Sequence, residues 1–485
     1  MPVDLTVPLS WKGASGDADA MLDDLQSNIL KPCVREHLHI LLLGFTDSPE
    51  GAAEARAFLN ALASKVKPVR THLREVDTFK SGGVGGTPYV GVGLTHAGYG
   101  KLGLSAQAPA DPSFRRGMRD AQTQQDLSDP AVPEWEEPYR EEIHAVVLVG
   151  DASATAATAE YQLVKALLPP SVRLIGEETG LGMRNADGDG IEHFGYVDGR
   201  SQPLFLTEDV DDERRSTDGT SVWNPATALD RVLVADPPAS GEVIGSYFVL
   251  RKLEQNVRVF RQAEEELANE LKLVGSDRDR AGAMVVGRFR DGTPVTLQSA
   301  AGPHSPVMNN FDYASDDQAV KCPFQGHIRK TNPRGSGGFE PPENEREHLM
   351  ARRGQTYGER KDDPAGRDVP LNYRPTGGVG LLFMAFNSDL GNQFEFTQQR
   401  WANGSGFPRV PTGTPEPGLD LVIGQGSRPA AVWPLNWGEQ GTGPGLGTPA
   451  FPQAVTMKGG EYFFMPLLSF LRSLSPTTAN TATGI

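Results

Sequence analysis

The chain has 485 residues and a formal net charge of −16. Its length favours two or more domains over one, and its acidity argues against nucleic acid or an anionic membrane surface as partner. Its two cysteines, Cys33 and Cys322, lie far apart and make no disulfide framework. No apolar run is long enough to span a bilayer, and residues 1–22 show neither a charged-then-apolar leader nor a twin-arginine start, so a cytoplasmic location is expected.

Residues 1–30 read as an arm with a short helix around residues 20–28. EHLHILLLGF, residues 36–45, is a buried strand by its apolar run and length. His37 and His39 fall on one face of it. Two same-face histidines could hold a metal, but no third ligand is near, and the ordinary reading is a pair of strand residues. Residues 51–66 carry Ala, Phe and Leu at helical spacing, and YVGVGLT, residues 89–95, is a second strand followed by a short helix. The GGVGGTPYVGVG run lacks a clean GxGxxG between strand and helix with an acid about twenty residues on, which disfavours a dinucleotide site. Residues 105–142 are a polar, Pro-rich insertion. Residues 143–151 form a third strand, 152–168 a long helix and 172–180 a fourth strand. The order is β-α-β, insertion, β-α-β, the ferredoxin-like arrangement.

The pattern recurs after an acidic link at residues 207–221. Residues 244–253 form a strand, 257–274 a charged amphipathic helix, 379–386 an apolar strand, 390–403 a helix and 461–468 a closing strand. The second strand of this half cannot be identified. Residues 404–456 are rich in Pro and Gly and too long for an idle loop. The expected class is α+β, with two ferredoxin-like βαββαβ domains at residues 1–206 and 207–485.

Four stretches carry candidate chemistry. KCPFQGHIRKTNPR, residues 321–334, holds His327 among Cys322, Arg329, Lys330 and Arg334. A neutral imidazole is a good axial ligand for haem iron, and cationic neighbours suit propionates; the alternative is a solvated basic loop. HFGYVDGRSQP, residues 193–203, places Asp198 between Gly195 and Gly199, which lets backbone approach a flat ligand or makes a simple Asp-Gly turn. ARRGQTYGER, residues 351–360, holds Arg352 in a charged loop. GLLFMAF, residues 380–386, points Leu381 and Phe383 to one face, which core packing alone would explain.

Taken together these stretches resemble the dye-decolorizing (DyP-type) peroxidases, a haem enzyme family. GYVDG matches its G-x-x-D-G motif, CPFQGHIRKTNPR its proximal-histidine segment, RRGQTYG its later arginine stretch, GLLF its distal strand, and SNIL at residues 27–30 its N-terminal signature. Thr356 stands where the R-R-G-x-P-Y-G version has Pro, which touches loop geometry more than chemistry. The length resembles the longer, bacterial-type members. The resemblance implies two ferredoxin-like domains, with one haem b per chain held mainly by the second.

It implies His327 as proximal iron ligand, Asp198 as distal acid–base group and Arg352 as charge stabiliser. Leu381 and Phe383 become distal pocket walls, and Arg329 and Arg334 candidates for the propionates. Glu395 is the candidate acceptor behind His327. Cys322 then becomes a small buried residue, against the alternative of thiolate ligation. An Asp in the distal role implies activity at more acid pH than a histidine would give. The implied partners are hydrogen peroxide and bulky organic electron donors, and copies of the chain itself. Such donors would be oxidised through surface Trp or Tyr residues; Trp401 and Tyr357 are near the site in sequence and neither is assigned. Two rival readings stay open: a haem-handling protein with little turnover, separated by its reaction with peroxide, and a non-haem binding protein, separated by the absence of a haem absorption band.

Overall fold

Residues 37–45 run apolar without alternation, so both faces of that strand must be covered, and Ile40 to Phe45 are all buried. The structure, a computed structural model, describes residues 2–474 except 34–35, 217, 239, 303–305, 365, 367–368, 427, 429–431, 435, 440–445 and 448–450. Much of the expected 404–456 excursion is described; the rest lies outside these residues.

The first half contains β1 (His37–Phe45), α1 (Pro49–Leu62), α2 (Val69–Gly82), β2 (Tyr89–Leu94), β3 (Ala145–Asp151), α3 (Ala154–Ala166) and β4 (Val172–Leu181). Ser48 starts α1 by accepting from the Gly51 amide at 3.0 Å, with Pro49 in the first turn. Helix α2 was not anticipated: its polar, charged sequence has only four buried residues to mark a face. The strands pair antiparallel in the order β4-β1-β3-β2. His39 stacks on Tyr161 of α3 at 4.6 Å, an ordinary packing role.

The second half contains β5 (Val243–Gln255), α4 (Val257–Glu270), α5 (His327–Thr331), β6 (Gln355–Tyr357), β7 (Gly380–Asn387) and β8 (Val455–Pro466), in the order β8-β5-β7-β6. The strand missing from the sequence reading is β6, three residues inside the RRGQTYG stretch and too short to show alternation. The expected helix at 390–403 is present but wound as a π-helix over Gly391–Glu395 and Thr397–Ala402. The closing strand starts at Val455 rather than 461 because a bulge at Met457/Gly459 breaks its pattern.

The two four-stranded sheets meet edge to edge. Tyr357 pairs with Gly180 and Phe464 with Leu94, so eight strands close into one barrel through one paired position at each seam. The second seam is thin, and Gln26 of the arm strengthens it: its side-chain amide bonds the Val92 amide and the Val92 and Pro466 carbonyls, each at 2.8 Å. No helix among the described residues is long and apolar enough to cross a membrane.

Candidate active site

One cavity of 580 Å³, a size typical of small-molecule sites, opens between the barrel and the connections of the second half. Asp198, His327, Arg334, Arg352, Leu381 and Phe383 all line it. Arg329 and Glu395 do not.

The wall bearing Asp198 is a loop built for close turns. Gly195 and Gly199 have φ of 83° and 80°, and a Cβ at Gly195 would stand 2.5 Å from the Pro364 carbonyl oxygen. Glu192 braces the loop from inside, accepting from the Phe194 amide at 2.8 Å and the Tyr196 amide at 3.0 Å. Burial pushes its pKa up, and the Asp198 charge adds to that. The Tyr196 hydroxyl donates to Glu264, itself paired with Arg261 at 2.8 Å and Arg290 at 3.2 Å, which ties the loop to α4. Asp198 Oδ1 accepts from the Gly199 amide at 2.6 Å, and its side chain is exposed on the cavity wall. Arg352 is held by the same loop: its amide donates to Gln202 Oε1 at 3.1 Å and its Nη2 to the Ser201 carbonyl at 3.3 Å. Most of its five N–H donors are left for a ligand. Leu381 and Phe383 alternate along β7, opposite Leu253 and Arg251 of β5, so both face the cavity.

Another part of the lining comes from α5. His327 Nδ1 lies 2.8 Å from Asp420 Oδ2, and no described residue takes its Nε2. Asp420 is fully buried and accepts on Oδ1 from the Val422 and Ile423 amides at 2.8 Å each. Burial works against its charge, yet the His327 ring and these amides hold its pKa below the usual carboxylate value. A carboxylate on Nδ1 leaves Nε2 as the ligating nitrogen.

Glu395 is therefore not the acceptor behind His327. Its π-helical face turns towards the barrel, where it accepts from Ser113 Oγ at 2.7 Å and the Tyr462 hydroxyl at 3.0 Å. Arg329 is likewise corrected. Two residues beyond His327, it points to the other side of α5 and is buried against Asp316 at 3.1 Å and the Cys322 carbonyl at 2.6 Å. Cys322 is fully buried and does not line the cavity, which argues against thiolate ligation there. Trp401 and Tyr357 are both buried, so neither is a surface electron exit.

Arg334 does face the cavity, and beside it stands Arg288, which the sequence reading missed. Arg334 donates to the Asn309 carbonyl at 2.7 Å and to Ser201 Oγ at 3.1 Å; Arg288 donates to the Gly292 and Met308 carbonyls at 2.7 Å and to Ser201 Oγ at 3.0 Å. Burial pushes Arg334 down to about 9 and Arg288 down to about 10. Neither has a carboxylate partner among the described residues. Buried cations without a counter-ion at a cavity wall fit an anionic ligand. A flat apolar ligand with two carboxylates and an iron seeking an imidazole, a haem, meets all of these demands.

Comparison with known proteins agrees. A family model described as the DyP dimeric alpha+beta barrel domain matches residues 50–181. The chain is 60% identical over 476 residues to the multifunctional dye peroxidase DyP2 of Amycolatopsis, covering 98% of this chain and 100% of that one. It is 30% identical to peroxidase 2 of Mycetinis scorodonius over 87% of this chain and 82% of that one. The solved structure of Amycolatopsis DyP2 superposes with a TM-score of 0.92, covering 97% of this chain and 100% of that one. A DyP-type peroxidase from Anabaena superposes at 0.87 with 37% identity, covering 97% and 99%. With its barrel, its cavity and these relatives, the chain belongs to the DyP-type peroxidases, a family of haem enzymes.

Proposed function

We propose that this peroxidase reduces hydrogen peroxide and oxidises bulky organic donors such as dyes and phenolics, using Asp198, Arg352 and His327 around one haem b per chain. The observation that supports the reading is that His327, Asp198 and Arg352, distant in sequence, line one cavity, with no described residue on His327 Nε2. His327 would ligate the iron through Nε2, and Arg334 and Arg288 would meet the propionates. When bound, the haem supplies the redox-active iron at which peroxide reacts. Asp198 would take a proton from one oxygen of hydrogen peroxide and return it to the other, which would leave as water as the O–O bond breaks, with the two electrons for that cleavage supplied by the bound haem. The Arg352 guanidinium steadies negative charge on the oxygens during that transfer. Leu381 and Phe383 keep the pocket apolar and admit small oxidants. The division between the two domains is placed at residues 206 and 207, between the Asp198 loop and β5. The cysteine-poor composition suits the cytoplasm.

Stopped-flow mixing of the holoenzyme with hydrogen peroxide tests the reading. Wild type is expected to change its haem absorption rapidly. Asp198→Asn and Arg352→Leu are expected to retain haem and react about 10²-fold or more slowly. Variants that react like wild type would remove both residues from the chemistry.

A further inference from the structure

Lys330 lies on α5 one turn beyond His327 and is fully buried. Its Nζ donates to the carbonyls of Gly404 at 2.7 Å, Phe407 at 2.6 Å and Gly418 at 2.6 Å. Three acceptors satisfy the three protons of an ammonium. No carboxylate lies within ion-pair distance of it among the described residues. Burial pushes its pKa down to about 7, while Asp420 acts in the opposite direction.

All three carbonyls belong to one excursion, residues 403–420, which contains no helix or strand. That excursion leaves the π-helix and returns beside it: the Gly418 amide donates to the Ser405 carbonyl at 2.9 Å and the Asp420 amide to the Ala402 carbonyl at 2.8 Å. Its last residue is Asp420, which meets His327. A single helix thus grips the excursion twice, through His327 at its end and through Lys330 along its body.

We propose that Lys330 is a positioning residue: by gathering the carbonyls of residues 404, 407 and 418 onto α5 it sets where the excursion ends, and so presents the Asp420 carboxylate to His327 Nδ1. The inference rests on His327 being the iron ligand. A carboxylate behind a ligating histidine raises ligand basicity and favours ferric iron, which lowers the reduction potential. Removing Lys330 has two effects of opposite sign. Loss of a nearby positive charge alone lowers the potential. A loosened Asp420 raises it.

The test is the ferric–ferrous midpoint potential of the holoenzyme for wild type, Lys330→Met, Asp420→Asn and the double variant. The potential is expected to rise in both single variants, and the double variant is expected to rise no further than Asp420→Asn alone. A fall in Lys330→Met, or effects that add in the double variant, overturns the role. An unmoved potential in Asp420→Asn overturns the proximal assignment itself, and this inference with it. Should Lys330→Met not take up haem, hydrogen exchange of wild-type holoenzyme decides. The amides of Asp420, Val422 and Ile423 are expected to exchange as slowly as those of α5, and fast exchange there contradicts the clasp.

Discussion

Residues 37–181 and 243–466 run through the same order of strands and helices, yet of the two only the second contributes histidines and arginines to the lining of the 580 Å³ cavity. In the first half His39 stacks on Tyr161, and His144 bonds the Phe45 amide at 2.7 Å and Glu142 at 2.9 Å. In the second half two of the connections lengthen. Residues 271–354 carry Arg288, His327 and Arg334, and residues 403–454 carry Asp420. Asp198 sits in the loop that leaves β4 at the junction. Shared elements build the barrel, and unshared connections supply the chemistry.

The sharpest way to break this comparison is to exchange its histidines for alanine. His327→Ala is expected to abolish haem retention, read as loss of the haem absorption band in the purified protein. His39→Ala is expected to keep the haem and to lose about 1 kcal/mol of stability from the lost stacking, measured by denaturant unfolding. Haem loss in His39→Ala alone would reverse the roles of the halves. Next in size are the propionate candidates. Arg334→Met removes a charge-assisted contact to the ligand, and haem affinity is expected to fall by about tenfold to a hundredfold in a transfer assay to apomyoglobin. In the apoprotein the same change removes a buried cation with no carboxylate but strips the Asn309 carbonyl and Ser201 Oγ of their donor, so its melting temperature is expected to fall.

A further prediction concerns the seam between the halves. His193 precedes the Asp198 loop, and its Nε2 meets the Tyr357 carbonyl at 2.8 Å. Burial pushes its pKa down to about 4 from an ordinary 6.5. Between those values the unfolded chain binds a proton that the folded chain refuses, so stability falls as pH falls through that window, by up to about 3 kcal/mol. His193→Gln is expected to flatten the dependence, seen as a smaller gap between unfolding midpoints at the two ends of the window. An unchanged gap would remove His193 as its source. The penalty falls in the acid range that an aspartate in the distal role favours.

Strands with continuous apolar runs were readable directly, because burial on both faces leaves no other pattern at that length. Strand β6 was not, since three residues cannot display a period. His327, Asp198 and Arg352 were readable only as members of a familiar set of motifs; nothing in their spacing brings residues 198, 327 and 352 to one cavity. Asp420 was hidden for a related reason. It lies 93 positions from its histidine in a Pro- and Gly-rich excursion without periodicity, and only the unusual length of that excursion hinted at a task. Glu395 was chosen for its place after the GLLF strand, but π-helical winding changes which residues share a face. Arg329 and Arg334 looked equivalent in sequence until α5 turned one of them away from the cavity.

The most direct measurement is a crystal structure of the haem-loaded enzyme. Iron is expected on His327 Nε2, with Asp420 on Nδ1 and with Asp198 and Arg352 on the opposite face of the porphyrin. Iron bound by any other side chain, or Asp198 on the same face as His327, would contradict it.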